Sequence, residues 1–545
     1  MVKKIFIGVA WPYANNSLHL GHVSALIGAD VLARYFRSSG ADVLMVSGSD
    51  CHGTPIVVSA EKENVTPSEL ANKYHKEFVE TLVHGINFSY DNYTTTLTET
   101  HKKTVQKLFL DLLEKKLIYK KTEQLPYCKK CDRFLPDRYI EGECYHCHFV
   151  NARGDQCDKC GNLIDPKLLI NPRCSVCGST PIWKDSEHFF LKLSAFQDQL
   201  ENWSQKARGW RTNAAGFTKK LLKEGLKDRA ITRDTNWGIE IPIKGYESKR
   251  IYVWFDAVTG YLSASIEWAE KLGKIDKYNE FWQNNEAIHY YVHGKDNIPF
   301  HTLIWPAMLM GAGNLHLPDR IISSEYLTLE KSQFSKSRNH AIWLPDFLKN
   351  FDADILRYFL IANGPETSDA DFSWQELKGR INNELIANLA NCVNRTVHLI
   401  KNNFPDGISS KENENLNNIF KSVGDLIEKG KFREALKNVF ILSEKANKHL
   451  AKTEPWKEIK NNRDKTKNDL YKSSIYCVTI AKLLHPFLPE TSEKIFRLFG
   501  LEPIIDWKPI RDINIKVTNT TALFKKIEDE QIVHEIKSLI SKLNF

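Results

Sequence analysis

The stretch Trp11-Pro12-Tyr13-Ala14-Asn15-Asn16-Ser17-Leu18-His19-Leu20-Gly21-His22 decides how the N-terminal part of the chain is built. The apolar run before it, Ile5–Val9, is typical of a buried strand. After it, apolar residues recur at helical spacing, which predicts an amphipathic helix, and Ser17 is the candidate N-cap. The order is therefore strand, turn and helix, with two histidines and a glycine at the start of the helix.

The start of a helix is a favourable site for anions, because its free N–H groups and the positive end of its dipole face the ligand. Gly21 has no Cβ and lets a ligand approach the backbone closely. His19 and His22 are three residues apart, so both side chains can face the same ligand. Solvated or capping histidines are the alternative interpretation, but the preceding strand and a basic loop far along the chain favour a nucleotide site.

The composition is that of an ordinary globular protein. The chain has 545 residues, of which 42% are hydrophobic and 26% charged, and this length predicts roughly three or four domains. The net charge of +8 permits nucleic-acid binding without requiring it. No apolar run approaches the ~20 residues of a membrane span, so no membrane partner is expected. The basic N-terminus enters a strand pattern without a cleavage site, which argues against a signal peptide.

The cysteines indicate bound metal. Eight of the eleven form four C-x-x-C pairs. Because one such pair supplies half of a tetrahedral zinc site, the pattern predicts two all-cysteine zinc sites in a reduced, cytoplasmic protein. Spacing alone leaves open a sequential pairing, which joins the first two pairs, and a nested pairing, which joins the inner two. The pairs are Cys128 and Cys131, Cys144 and Cys147, Cys157 and Cys160, and Cys174 and Cys177.

An α/β pattern lies on both sides of this cysteine-rich segment. A second buried strand, Val43–Val46, leads to polar residues that include Asp50. Open α/β sheets bind ligands at the carboxyl ends of their strands, so Asp50 is a candidate for holding a cationic group. After the cysteines, residues 250–261 predict a further strand, and Ile288–His293 another. These patterns favour one nucleotide-binding domain split by an insertion.

The last third of the chain is predicted to be helical throughout. From about residue 375, apolar residues recur at helical spacing and glycine becomes sparse, which is typical of a helical bundle. Before it, the loop Gln333-Phe334-Ser335-Lys336-Ser337-Arg338 is hydroxylated and cationic and could meet a phosphate with both charge and donors. A solvated basic loop is the alternative. The predicted fold is therefore α/β, with a Rossmann-type nucleotide-binding domain split by a zinc-knuckle insertion and followed by an all-α helical bundle.

The H-x-G-H stretch after the first strand and the S-K-S loop together resemble the two signatures of the class I aminoacyl-tRNA synthetases. The details are similar to the methionyl-tRNA synthetases, since several motifs match in the same order: Pro12–Asn15, His52–Pro55, the double zinc knuckle, Trp254–Ala257, Gly294–Asp296 and the helical end. The resemblance implies five segments: 1–116, the first half of the Rossmann catalytic domain; 117–250, the connective insertion with two zinc knuckles; 251–325, the second half; 326–375, a stem-contact region with the F-S-K-S loop; and 376–545, the helical anticodon-binding domain.

The resemblance also implies the activity. Such a chain would activate L-methionine with ATP to methionyl-adenylate and transfer the methionyl group to the 3′ end of tRNA(Met). Little covalent chemistry falls to the protein in this reaction, so positioning and charge stabilisation dominate. The matching positions are His19, His22 and Lys336 for catalysis, and Gly21, Arg233, Asp296 and Lys336 for ATP, with Mg²⁺ accompanying the nucleotide.

The binding positions follow from the same resemblance. Aromatic side chains would surround the thioether through sulfur–aromatic contacts, and Asp50 would receive the α-ammonium group. A tryptophan and an arginine would read splayed anticodon bases. The implied residues are Trp11, Tyr13, Asp50, Trp254, Ala257, Tyr261 and His301 for methionine, and Asn391, Arg395 and Trp456 for the anticodon. The family has nested, structural zinc sites, which here would be Cys144, Cys147, Cys157 and Cys160 on one ion and Cys128, Cys131, Cys174 and Cys177 on the other.

The sequence departs from the family in two places. The signature loop usually begins with a lysine where this chain has Gln333, so Lys331 or Lys336 alone would supply the charge. The given chain also ends without the C-terminal dimerising barrel of many members, which predicts a monomer for the chain as given.

Other classes of protein fit the sequence less well. Synthetases for leucine, isoleucine or valine need an editing insertion for which there is no room, and the cysteine enzyme uses a catalytic zinc. A nucleotidylyltransferase would not need the helical end. A zinc-ribbon RNA-binding protein on an inactive fold is disfavoured by the presence of His19, His22 and Lys336 together.

Overall fold

The N-terminal segment alternates strands and helices, as predicted. The computed structural model describes residues 2–157, 159–334, 340–410 and 414–541. The first elements are β1 (Lys4–Val9), α1 (Leu20–Ser38), β2 (Asp42–Ser49), α2 (Thr54–Glu63), α3 (Pro67–Phe78), a π-helical segment (Val79–Gly85), β3 (Asn92–Thr95) and α4 (Glu99–Glu114).

Helix α1 begins later than the sequence predicts. Its N-cap is His19, so the prediction that Ser17 caps the helix is wrong. The backbone N–H of His19 donates to Nδ1 of His22 (3.1 Å), and this bond fixes the first turn. The hydroxyl of Ser17 instead donates to the carboxylate of Glu77 (3.1 Å), so its side chain is used to anchor the loop to the helix that carries Glu77.

The cysteine-rich segment consists of short antiparallel strands. Its longest pairing joins Ile118–Tyr127 to residues 182–191. The elements are β4 (Ile118–Cys128), β5 (Arg133–Phe134), β6 (Ile140–Glu143), β7 (Ala152–Arg153), β8 (Ile170–Cys174), β9 (Ile182–Leu191), α5 (Gln197–Lys206), α6 (Thr212–Glu224), β10 (Arg229–Ala230), β11 (Thr232–Arg233) and β12 (Arg250–Ile251).

The prediction of a strand over residues 250–261 is wrong beyond the two residues of β12. Helix α7 (Val253–Lys271) takes its place. The β-branched and aromatic composition favours a strand, but Trp254, Ala257 and Tyr261 are spaced so that they share one face of a helix. The elements that follow are α8 (Asn279–Trp282), β13 (Ile288–Gly294), a π-helical segment (Phe300–Ile304), α9 (Trp305–Ala312) and β14 (Arg320–Ser324).

Five of these strands form one parallel sheet in the order β14, β13, β1, β2, β3, which confirms the Rossmann-type fold. In β1, Ile7 lies opposite Tyr290 of β13 on one side and Met45 of β2 on the other. The chain runs outward in opposite directions from β1 and from β13, so the strand order reverses between them. The crevice at the carboxyl ends of these two strands is where open α/β sheets bind ligands.

The rest of the described chain is mostly helical, and the predicted bundle is confirmed. Among the described helices, none is long and apolar enough to cross a membrane. The elements are β15 (Leu327–Leu329), β16 (Ser332–Gln333), α10 (Leu344–Asn350), α11 (Ala353–Ala362), β17 (Ala370–Phe372), α12 (Trp374–Arg380), a π-helical segment (Ile381–Ala390), α13 (Asn391–Asn403), α14 (Asn417–Glu428), α15 (Phe432–Thr453), α16 (Pro455–Glu458), α17 (Arg463–Leu484), α18 (Pro489–Leu498) and α19 (Asp529–Ser541).

A buried arginine joins the bundle to the helix that follows the first strand. Arg357 of α11 donates to the carboxylate of Asp30 in α1 (2.6 Å) and to the carbonyl of Phe487 after α17 (2.7 Å). Both charged side chains are fully buried. The Arg357 and Arg34 guanidiniums, together with bonds from Ser89, overcome the effect of burial and lower the pKa of Asp30 below its usual range. This ion pair fixes the bundle against α1.

Candidate functional site

The carboxyl ends of β1 and β2 continue past the sheet as a paired loop. The N–H of Ala14 donates to the carbonyl of Asp50 (2.8 Å), and the N–H of Asp50 donates to the carbonyl of Pro12 (2.9 Å). This pairing places Tyr13 beside Asp50. The ring of Tyr13 meets that of Trp254 edge-on, with centroids 6.1 Å apart. Side chains from the loops after β1 and β2 therefore meet a side chain of α7 at the carboxyl edge of the sheet.

Aromatic rings line this region, which we call the aromatic pocket (Trp11, Tyr13, Trp254, Tyr261 and His301). Trp254 stacks on Phe300, with ring centroids 3.8 Å apart. Trp11 packs so tightly against two glycines that a Cβ at Gly48 would lie 2.5 Å from its ring and one at Gly260 2.8 Å from it. Glycine at these two positions therefore makes room for the tryptophan. Ala257, on the same helix as Trp254, is buried as well.

A buried tyrosine–histidine pair forms part of this group of rings. The hydroxyl of Tyr261 is 2.7 Å from Nε2 of His301, and Nδ1 of His301 is 2.8 Å from the carbonyl of Asn297. Burial lowers the pKa of His301 to about 4, so the imidazole is neutral at pH 7. Since Nδ1–H donates to the carbonyl, Nε2 accepts the proton of the Tyr261 hydroxyl.

Asp50 is a buried carboxylate with few compensating contacts. Burial raises its pKa well above the usual value, the charge of Asp256 raises it further, and a hydrogen bond from the N–H of His52 (3.2 Å) opposes the shift. A cationic group next to Asp50 would relieve the cost of its ionisation. The position is therefore suited to an ammonium group, as expected from the sequence.

Sequence reasoning missed a polar cluster behind the pocket, the His–Asp–His cluster (His52, Asp256 and His101). Nδ1 of His52 is 2.7 Å from one oxygen of Asp256, and Nε2 of His101 is 2.5 Å from the other. Burial opposes ionisation of Asp256, but the two histidines lower its pKa to about 2. His52 and Asp256 lie within the motifs His52–Pro55 and Trp254–Ala257, whereas no sequence signal pointed to His101.

The two signature histidines lie at the start of α1. Their rings stack with centroids 3.7 Å apart. Because Nδ1 of His22 accepts the N–H of His19 (3.1 Å), a neutral His22 carries its proton on Nε2 and can donate it to a ligand. The ring of His19 also lies against Gly21, where an added Cβ would be 3.0 Å from it. Glycine at position 21 therefore makes room for the His19 ring at the start of the helix.

The signature loop adjoins these histidines. Phe334 stacks on His19, with centroids 4.7 Å apart, and the N–H of Leu20 donates to the carbonyl of Ile342 (3.1 Å). Lys336, the expected catalytic lysine, lies outside the described residues. Gln333, at the position where the family usually has lysine, is exposed in β16.

The two further ATP positions have different surroundings. Asp296 follows β13 directly, at the edge where β13 meets β1, and accepts a hydrogen bond from the hydroxyl of Tyr326. Arg233 binds Asp137 of the cysteine-rich segment (3.1 Å) and lies 3.7 Å from the ring centroid of Tyr252. Asp296 thus follows a strand that borders the switch point, and Arg233 joins Asp137 of the cysteine-rich segment to Tyr252, the residue before α7.

The three positions expected to read the anticodon lie together on the bundle. The guanidinium of Arg395 stacks over the ring of Trp456, 4.6 Å from its centroid, and Trp456 is 37% exposed. Asn391 lies one helical turn before Arg395 and donates to Asn447 (3.3 Å). An exposed tryptophan paired with an arginine offers a surface on which a base can stack.

The cysteines gather into two groups in the nested arrangement that the resemblance implied. In each group the four sulfurs lie within 4.8 Å of one another. Four sulfurs around a tetrahedral zinc ion would be about 3.8 Å apart, and the structure gives 3.4 and 3.9 Å in one group and 3.9 and 3.7 Å in the other. Two sets of four thiols at this spacing fit zinc. The groups are Cys128, Cys131, Cys174 and Cys177, and Cys144, Cys147, Cys157 and Cys160.

Comparisons with known proteins show the family to which the chain belongs. Residues 5–397 match the family model for tRNA synthetases class I (M), and residues 407–538 match that for the anticodon binding domain of methionyl tRNA ligase. The fold and site thus define a class I aminoacyl-tRNA synthetase. The methionine–tRNA ligases of Bacillus cereus (strain G9842) and Bacillus mycoides (strain KBAB4) are each 47% identical to this chain over 98% of its length and 99% of theirs. The chain belongs to the methionine–tRNA ligase family.

A solved structure has the same fold. The Mycobacterium tuberculosis methionyl-tRNA synthetase in complex with methionyl-adenylate superposes with a TM-score of 0.80, covering 96% of this chain and all of the other. The two sequences are 23% identical, so this similarity concerns the fold alone.

Proposed function

We propose that the chain activates L-methionine with ATP to form methionyl-adenylate and transfers the methionyl group to the 3′ end of tRNA(Met). The observation that carries the proposal is the buried carboxylate of Asp50 beside the aromatic pocket, at the carboxyl end of β2. A ligand with an ammonium group and an apolar side chain matches both features. The relatives named as methionine–tRNA ligases and the fold neighbour in complex with methionyl-adenylate support this substrate.

In this proposal methionine lies between Asp50 and the aromatic pocket. Asp50 receives the α-ammonium group, and Trp11, Tyr13 and Trp254 surround the thioether with aromatic contacts. Ala257 leaves space beside them, and the Tyr261 hydroxyl, held by neutral His301, faces the side chain. A larger or branched side chain would clash with rings that are fixed by their own packing.

ATP lies over the start of α1, and the phosphates meet the first turn. The methionine carboxylate attacks the α-phosphorus, the bond to the β-phosphate oxygen breaks, and pyrophosphate leaves. His19 and His22 donate hydrogen bonds that strengthen as charge develops, Gly21 allows close approach, and Lys336 neutralises the leaving group. Mg²⁺ bound with the nucleotide would add charge stabilisation. Asp296 and Arg233 hold ATP in this arrangement. To do so, Arg233 releases Asp137 and binds a phosphate group instead.

The bundle and the zinc segment serve tRNA. Asn391, Arg395 and Trp456 read the anticodon on the exposed face of the bundle, and each of the two cysteine groups holds one structural zinc ion. All four ligands of each site are thiolates, so neither zinc has an open position for catalysis.

We further propose the domain limits 1–116, 117–250, 251–325, 326–375 and 376–545, with a monomeric, cytoplasmic protein. The parallel sheet, the cysteine groups and the helical bundle support these limits, and thiols in metal-spaced groups suit a reducing compartment.

Charging of tRNA tests the proposed function. The purified chain should attach radiolabelled methionine to a tRNA(Met) transcript in the presence of ATP, and a transcript with a replaced anticodon should be charged much more slowly. Equal charging of both transcripts would contradict the proposed anticodon readers, and no charging of either would contradict the proposed activity.

A further inference from the structure

The His–Asp–His cluster joins three elements of the site through one carboxylate. Asp256 lies in the first turn of α7, His52 follows β2, and His101 lies in α4. Both oxygens of Asp256 are used, one by each histidine (2.7 and 2.5 Å). The three side chains are buried, so these bonds do not compete with bulk water. A shift of any of the three elements would break at least one of them.

His101 holds α7 at two points. Its Nε2 binds Asp256 (2.5 Å), and its Nδ1 binds Ser263 (2.7 Å), which lies two helical turns further along. Residues seven apart share a face of a helix, so one imidazole spans two turns on the same side. A helix bound at two points of one face by one rigid ring can neither rotate nor slide without losing a bond.

The methionine-facing residues lie on roughly the opposite side of the same helix. Trp254, Ala257 and Tyr261 are spaced three and four residues apart and share one face of the helix. At about 3.6 residues per turn, this face points roughly away from the face that carries Asp256 and Ser263. A rotation of α7 would therefore move all three pocket residues together. The bonds of His101 set the rotation that the pocket requires.

His52 connects this arrangement to the ammonium site. Its backbone N–H donates to Asp50 (3.2 Å), while its ring binds Asp256 (2.7 Å). The ring also meets Trp237 edge-on at 5.7 Å, and Trp237 donates from Nε1 to the carbonyl of Cys51 (2.8 Å). The loop that carries Asp50 and the helix that carries the aromatic pocket are thus joined through one residue.

We propose that His52, Asp256, His101 and Ser263 are positioning residues for methionine, which hold the aromatic face of α7 in register with the carboxylate of Asp50. None of them touches the substrate in this proposal. The inference rests on the proposed methionine pocket and adds the residues that maintain its shape. ATP binds at the start of α1, at Asp296 and at Arg233, none of which lies on α7 or belongs to this cluster, so we expect its binding to be independent of the cluster.

The test compares two buried serines of α7, of which Ser263 bonds His101 and Ser265 serves as the control. Ser263 and Ser265 are both buried, and each donates to a carbonyl of its own helix, Ser263 to Gly260 (3.2 Å) and Ser265 to Tyr261 (2.8 Å). Ser263 also bonds His101 (2.7 Å). The variants are Ser263→Ala, Ser265→Ala as the matched control, and Asp256→Asn. ATP–pyrophosphate exchange is measured with methionine and ATP varied in turn, and the thermal midpoint of each variant reports its folding.

The KM for methionine should rise about tenfold or more in Asp256→Asn, since buried bonds to a charged group are lost, and by about two- to fivefold in Ser263→Ala. It should stay at the wild-type value in Ser265→Ala, and the KM for ATP should not change in any variant. Equal methionine KM values for Ser263→Ala and Ser265→Ala would overturn the proposal, as would a parallel loss for both substrates. If Asp256→Asn does not fold, the comparison of the methionine KM between Ser263→Ala and Ser265→Ala still tests the proposal. Absence of exchange in the wild-type chain would instead contradict the proposed function.

Discussion

Asp50→Asn should weaken methionine binding and stabilise the free protein at the same time. The side chain of Asp50 is buried, and burial together with Asp256 raises its pKa well above the usual value. The folded state therefore disfavours the ionised form relative to the unfolded chain. Above the pKa that Asp50 has in the unfolded state this costs stability. Asparagine removes the cost and has nearly the same shape.

The size of the binding defect follows from the contact that is lost. A hydrogen bond to a charged group contributes about 1.5–3 kcal/mol, and every 1.4 kcal/mol is about tenfold in affinity. The KM for methionine should therefore rise about 10- to 100-fold in exchange assays, with the KM for ATP unchanged. Asp296→Asn is the matched control, since it should raise the KM for ATP and leave that for methionine near the wild-type value.

The KM for methionine should also depend on pH. Methionine needs Asp50 ionised, so protons compete with the ammonium group and the KM for methionine should rise as the pH falls through the raised pKa of Asp50. Asp50→Asn should lack this dependence. A thermal midpoint below that of the wild type, or an unchanged KM for methionine, would refute the assignment of Asp50.

Four further predictions concern other parts of the molecule. Lys336→Ala should slow adenylate formation by orders of magnitude and leave methionine binding, measured by calorimetry, nearly intact; an unchanged exchange rate would exclude the assigned role. Trp456→Ala should spare exchange and impair tRNA charging, because its ring is exposed next to an arginine, whereas equal loss in both assays would make it a packing residue. Elemental analysis should find two zinc ions per chain, and Cys157→Ser should lower that number, while no zinc in the wild-type chain would contradict the assignment of both sites. Arg357→Met should lower the free energy of unfolding by about 3 kcal/mol, the lower end for a broken buried ion pair, because Asp30 loses one of two charged partners and keeps Arg34; urea unfolding within 0.5 kcal/mol of wild type, on the order of a surface substitution, would exclude that role.

Those parts of the fold that depend on near neighbours in sequence could be predicted from local patterns. The strand before His19, the cysteine pairs and the helical spacing of the bundle each follow from residues a few positions apart. The segment after Arg250 could not be predicted in this way, because its β-branched and aromatic residues favour a strand by composition. The side-chain spacing of Trp254, Ala257 and Tyr261 agrees with the helix, and packing against α4 and the sheet decided between the two.

The arrangement behind the pocket could not be predicted from local sequence. His52, His101 and Asp256 come from three elements, and the two histidines are 204 and 155 positions from Asp256. Such contacts exist only once the sheet and its helices have been assembled. The prediction that Ser17 caps α1 is wrong for a similar reason. The Ser17 hydroxyl donates to Glu77, sixty positions away, and His19 is the N-cap.

ATP–pyrophosphate exchange with each standard amino acid offered separately tests the assignment of methionine most directly. The pocket around Asp50, Tyr261 and His301 predicts exchange with methionine alone. Exchange with another amino acid in place of methionine, or with none, would contradict it.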